Sequence, residues 1–178
     1  MKNKQTPLLF VLGMPVIFIL ANTMAYFNIK TLGGSHVYIS VFMYPLTLLI
    51  SGLIIKKTNY KNAITVMTVS LACAAIAYII QWTLLNSYHP FVMIYSFLSF
   101  LFCQLIFIYA FNFLIAEKKH TYFRVFLIIA FVLGIDHAFF GTIIEKQIIS
   151  QSILIRCAYC VILPLLLAKK TTKTEDNK

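Results

Sequence analysis

Charge is what this chain has least of. Asp, Glu, Lys and Arg make up 11% of its 178 residues, less than half of the roughly 25% found in soluble domains. Carboxylates are the scarcest, five against fifteen Lys and Arg. No H-E-x-x-H helix, no Gly-x-Ser-x-Gly elbow and no phosphate-binding loop occurs, and no two acids share an apolar run. Zinc hydrolysis, serine hydrolysis, paired-aspartate proteolysis and self-energised transport therefore have no residues to carry them, and no enzyme and no cofactor are expected. Cysteine is limited to Cys73, Cys103, Cys157 and Cys160. Cys157 and Cys160 have C-x-x-C spacing, but without a second ligand pair they read as small apolar residues, not as a metal or redox centre.

What is present is apolar. Hydrophobic residues make up 61% of the chain, gathered into six stretches: Pro7–Phe27, His36–Ile55, Ala63–Leu85, Phe91–Ala116, Tyr122–Ile144 and Gln147–Ala168. Each has the ~20 residues needed to cross a ~30 Å hydrocarbon core. The expected fold is an all-α integral membrane protein of six transmembrane helices. It forms a single domain, residues 1–168, followed by a polar cytoplasmic tail, residues 169–178. The first stretch resembles a secretory leader, but its length and the lack of an A-x-A site make it helix one.

The basic residues orient the bundle. Lys2, Lys4, Lys56, Lys57, Lys61, Lys118, Lys119, Arg124, Lys169, Lys170, Lys173 and Lys178 fall on one side, and only Lys30 and Lys146 on the other. This asymmetry sets both termini of a multi-pass protein in the cytoplasm. The net charge of +10 is thus a topology signal and an attraction to anionic lipid headgroups, with no nucleic acid as partner.

Several stretches carry small or polar residues at helical spacing, the mark of faces turned to protein. They include Ser40, Tyr44, Thr47 and Ser51; Ser70, Ala74, Ala77 and Gln81; Ser96, Ser99, Cys103 and the adjacent Gln104; and Ala130, Gly134 and Ala138. Pro15 and Pro45 lie within stretches one and two and free backbone carbonyls for other partners.

Asp136 and Arg156 are the one acid and the one base deep inside a stretch. A charge at mid-span costs on the order of 2.5–3.5 kcal/mol on insertion scales, so such groups pair or face a cavity. Both lie roughly 14 Å beneath the outer rim at 1.5 Å per residue, on stretches joined by a short turn, so they are expected to pair. Two readings stand side by side. The pair locks helix five to helix six, or it lines a solute site completed by Asn22, Thr47, Gln81 and Gln104. A set of Asp, Arg, Asn and Gln suits a planar small-molecule solute with donors and acceptors on its edges. His137 lies about 100° round the helix from Asp136 and can equally face a neighbour.

Some stretches resemble a known family. Ala21-Asn22 late in helix one is the first. Tyr44-Pro45-Leu46-Thr47-Leu48-Leu49-Ile50-Ser51, with Tyr60, Lys61 and Ala63 after it, is the most specific. Leu133-Gly134-Ile135-Asp136 followed by Phe139-Phe140, and then Arg156 and Pro164, complete the set. Together these resemble the vitamin uptake transporter family, also called queuosine precursor transporters. Gly52, Lys56 and Asn59 stand where that family usually has Asp, Glu and Gly. The resemblance implies uptake of a 7-deazaguanine precursor of queuosine or a similar heterocycle. A weaker likeness, through Ala21 and Ala25, is to the substrate-capture subunits of energy-coupling-factor transporters. Two alternatives stay open: a non-transporting scaffold or assembly protein, and a capture subunit that works with an energy-coupling module. The bilayer is the other partner, and assembly as a homo-oligomer is compatible with the sequence.

Overall fold

Away from water a backbone has only itself to hydrogen-bond to, and apolar runs of this length do so as helices. The computed structural model describes residues 8–23, 28–30, 36–38, 40–85, 90–117, 121–138 and 149–168. These form six helices: α1 (Leu8–Thr23), α2 (Ser40–Lys57), α3 (Tyr60–Leu85), α4 (Pro90–Ala116), α5 (Tyr122–Asp136) and α6 (Ile149–Ala168). Two of them contain segments long and apolar enough to cross a membrane, Tyr60–Ile80 of α3 and Ile94–Ala116 of α4.

The expected second stretch needs correction at its start. His36–Tyr38 is not helical but forms a strand, β2, paired antiparallel with β1 (Asn28–Lys30) in a register that sets Ile29 opposite Val37. A short β-hairpin therefore sits between α1 and α2 in an otherwise helical fold, with β2 against the start of α2 and against α6. The Gly33-Gly34 turn, both chain ends and residues 139–148 of the α5–α6 connection, Lys146 among them, lie outside the described residues.

α2 is the hub. It packs against α1, α3, α4 and α6, whereas α5 packs against α4 and α6. Large exposed hydrophobics are found on α1, α3, α4, α5 and α6, for example Leu9, Ile76, Phe113, Phe131 and Leu154, and on α2 none is found among the described residues. The helix with the polar stripe is thus the one that turns no large apolar side chain outward among the described residues. Its buried Thr47 and Ser51 are compatible with that position because both find partners inside the bundle.

Local chemistry fixes the ends of α2. Thr58 donates its hydroxyl to the Ile54 carbonyl at 2.8 Å, closing the helix. The Asn59 side-chain oxygen then accepts the Asn62 backbone N–H at 2.8 Å, an N-cap for α3. At Gly52, α2 meets α6 so closely that a Cβ would lie 2.6 Å from Leu167 Cδ2. One turn on, Lys56 Nζ donates to the Leu167 carbonyl at 2.9 Å, where a cation also complements the negative end of the α6 dipole. Pro45 cannot donate to the helix ladder, and the nearby Phe42 carbonyl accepts the Tyr159 hydroxyl of α6 at 2.8 Å.

Candidate functional site

The pair expected from rarity and depth is formed. Arg156 Nη2 lies 3.2 Å from Asp136 Oδ2, with both side chains almost fully buried. α5 and α6 run antiparallel, because contacts that rise along α5 descend along α6: Tyr122 reaches Val161, and Asp136 reaches Arg156. At residues 137–138 α5 loosens into a π-type turn. There His137 Nδ1 lies 3.0 Å from Arg156 Nη1. Guanidinium only donates, so Nδ1 accepts and a neutral His137 carries its proton on Nε2.

The pair is not a two-helix affair. Ser99 of α4 donates to Asp136 Oδ1 at 2.9 Å, so both carboxylate oxygens are engaged from different helices. Tyr44 of α2 reaches the Ser99 carbonyl at 3.4 Å. Ser96 donates to Asn22 Oδ1 at 2.5 Å, and Asn22 Nδ2 donates to the Phe18 carbonyl at 2.9 Å. A carbonyl can only accept, so these bonds fix the orientation of the Asn22 amide. Phe18 stacks on Phe100 with centroids 3.7 Å apart, and Tyr44 meets Phe100 edge-on at 6.1 Å. Such aromatic pairs add ~0.5–1.5 kcal/mol each beyond area burial and stiffen the wall.

These groups enclose a cavity. Its walls come from α1 (Phe18, Asn22), α2 (Tyr44), α4 (Ser96, Ser99), α5 (Asp136) and α6 (Arg156), with a free volume of ≈ 20 Å³. That is room for about one water. Acceptors at Asp136 and donors at Arg156 and Asn22 face one space, which can hold a hydrogen-bonding group of either kind. No described residue of α3 lines it.

Of the residues singled out in the sequence, Asn22, Asp136 and Arg156 meet at this cavity. Thr47 and Gln104 do not line it. Gln104 Nε2 donates to Thr47 Oγ1 at 2.6 Å, Ser51 donates to Gln104 Oε1 at 2.7 Å, and Thr47 donates to the Tyr44 carbonyl at 2.7 Å. They form a buried, mutually satisfied cluster further along α2 and α4. The Gln81 side chain lies outside the described residues. Ser96, Ser99 and Tyr44 were visible in the sequence only as faces for helix packing, and the structure adds them to the site, with His137 joined through Arg156. The Ala130–Gly134 face behaves differently from expectation. Among the described residues it is not packed, since a Cβ on Gly134 would meet nothing within 4 Å.

No protein-family model, no curated protein and no solved structure matches this chain.

Proposed function

We propose that the protein is a carrier embedded in a bacterial plasma membrane, with six spans and both termini cytoplasmic, that takes up a small planar heterocycle. The observation that carries this reading is the convergence on one cavity. A lock between α5 and α6 needs only Asp136 and Arg156, yet α1, α2 and α4 bring Asn22, Tyr44, Ser96 and Ser99 to the same space. The membrane setting is supported by the two apolar helices of spanning length and by large exposed hydrophobics on five of the six helices, which water would not tolerate as one continuous surface. The twelve-to-two distribution of basic residues supports the orientation.

The resemblance of the Tyr44–Ser51 segment to queuosine precursor transporters supports a 7-deazaguanine as the solute. Its adjacent N–H donors suit the Asp136 carboxylate, and its carbonyl suits Arg156 or Asn22. Uptake is tested with the purified chain in liposomes, using radiolabelled 7-deazaguanine with and without ion gradients. Accumulation above protein-free liposomes, lost in Asp136→Ala, is the expected result. A chain that binds the solute but never accumulates it would instead be a capture subunit awaiting an energy-coupling module.

A scaffold reading is favoured by one observation, the water-sized cavity, which suits a permanently paired lock. It predicts that a neutral pair at 136 and 156 preserves every property of the chain, and that no solute binds.

A further inference from the structure

Arg156 faces two spaces. On one side is the cavity of ≈ 20 Å³ that holds the Asp136 carboxylate. On the other is a groove of ≈ 400 Å³ between α5 and α6, lined by Phe126, Ala130, Gly134, Cys157 and Val161 together with His137 and Arg156. The groove has the size of small-molecule sites, roughly 300–1,000 Å³, while the inner cavity has the size of a water. A solute that reaches Asp136 must therefore open space, and the space on the far side of the Arg156 guanidinium is already there.

We propose that solute reaches the Asp136 site sideways, through the α5–α6 groove, and that the Arg156 side chain is the partition that moves to admit it. The inference rests on the carrier reading and deepens it. Arg156 is held by two neighbours on α5, Nη2 by Asp136 and Nη1 by His137. When the N–H edge of a solute replaces Nη2 at the carboxylate, the guanidinium retains His137 and need not cross the apolar groove unpaired. No charge is created or lost in the exchange. Three features keep the groove wide among the described residues. Ala130 and Gly134 are one turn apart, Gly134 is exposed, and a Cβ there would meet open space. The chemistry of the route sets the class of solute: a flat ring with one hydrogen-bonding edge for Asp136 and an otherwise apolar body for the groove. Sugars and zwitterions, whose polar groups surround them, would leave those groups unpaired against Phe126 and Val161.

Gly134→Leu tests the route, because it fills the groove without displacing a packed neighbour. In proteoliposomes given radiolabelled 7-deazaguanine, Gly134→Leu is expected to lower the initial uptake rate about tenfold or more, whereas Phe131→Leu keeps the wild-type rate. Wild-type uptake with an equally fast Gly134→Leu removes the lateral route and leaves the carrier reading intact. A wild-type chain that takes up nothing removes both. Should Gly134→Leu accumulate poorly in cells, a protein retaining Cys157 as its single cysteine gives the second readout. 7-Deazaguanine is expected to slow the reaction of Cys157 with N-ethylmaleimide several-fold, and the same addition to an Asp136→Ala background is expected to change nothing. Equal labelling rates with and without 7-deazaguanine overturn the proposal.

Discussion

Asp136→Asn is the sharpest perturbation of this fold, because it removes one charge and almost no volume. In the native chain Asp136 accepts from Ser99 and Arg156, and Arg156 is also shared with His137. The amide keeps a bond to Ser99 but offers the guanidinium no countercharge. Breaking a well-buried ion pair by removing one member costs about 3–5 kcal/mol. At ~2–4 °C per kcal/mol for a chain of this size, thermal stability should fall by about 6–20 °C. The lower end applies if water enters the adjoining cavity. Melting is followed by size-exclusion chromatography of the detergent-solubilised protein after heating. Asp136→Asn combined with Arg156→Gln removes both charges and should recover most of the loss, since a neutral replacement of a buried pair is often harmless to stability. Uptake should not recover with it. If Asp136→Asn alone melts within about 2 °C of wild type and transports normally, the pair is neither buried nor functional as argued.

The other expectations are more local. Ser99→Ala removes a donor to a buried carboxylate and should cost ~1.5–3 kcal/mol, seen in uptake kinetics as a raised KM with little change in the amount of inserted protein. Gln104→Leu strips Ser51 and Thr47 of a shared partner and should destabilise by ~1–3 kcal/mol, yet leave KM unchanged, since this cluster does not line the cavity. Gly52→Val should cost ~1–3 kcal/mol by overpacking against Leu167, with Gly52→Ala milder because the Leu167 side chain can shift. In a chain without native cysteines, single cysteines near Gly34, Asn86 and Lys146 should label from outside intact cells. Those near Asn59, Lys119 and Lys173 should not, and labelling at residue 59 would overturn the topology.

How much of this could be read from the residues depends on what each signal encodes. The helices were legible because apolar runs leave the backbone no other partner. The hairpin strand at His36–Tyr38 was not, since an apolar run has no period that separates a short strand from the first turn of a helix. The ion pair was legible through scarcity and depth, both of which are counted along the chain. His137 was not, because the 100° step places its ring on α5 but says nothing of the reach of Arg156, whose Nη1 meets His137 while Nη2 meets Asp136. Spacing marked Ser96 and Ser99 as inward but could not distinguish a packed serine from one that holds a carboxylate. That distinction depends on what α5 presents opposite them. The same limit applied to Thr47 and Gln104, which were expected to complete the solute site but satisfy each other away from the cavity.

Gly52, Lys56 and Asn59 act together at the lysine-rich end of α2. Gly52 and Lys56 both meet Leu167, the first by giving its side chain room and the second by accepting the task of capping its carbonyl. Asp at position 52 would drive a carboxylate into Leu167, and Glu at 56 would set an anion against the negative end of a helix. Either would oppose the α2–α6 contact seen here. Asn59 in turn supplies the cap that starts α3 one residue later. Gly52 and Lys56 thus form a clasp between α2 and α6. The clasp sits on the two helices that also carry Tyr44 and Arg156 to the cavity. A change at the Lys56 end of α2 or the Leu167 end of α6 would therefore reach the site through helices already packed together.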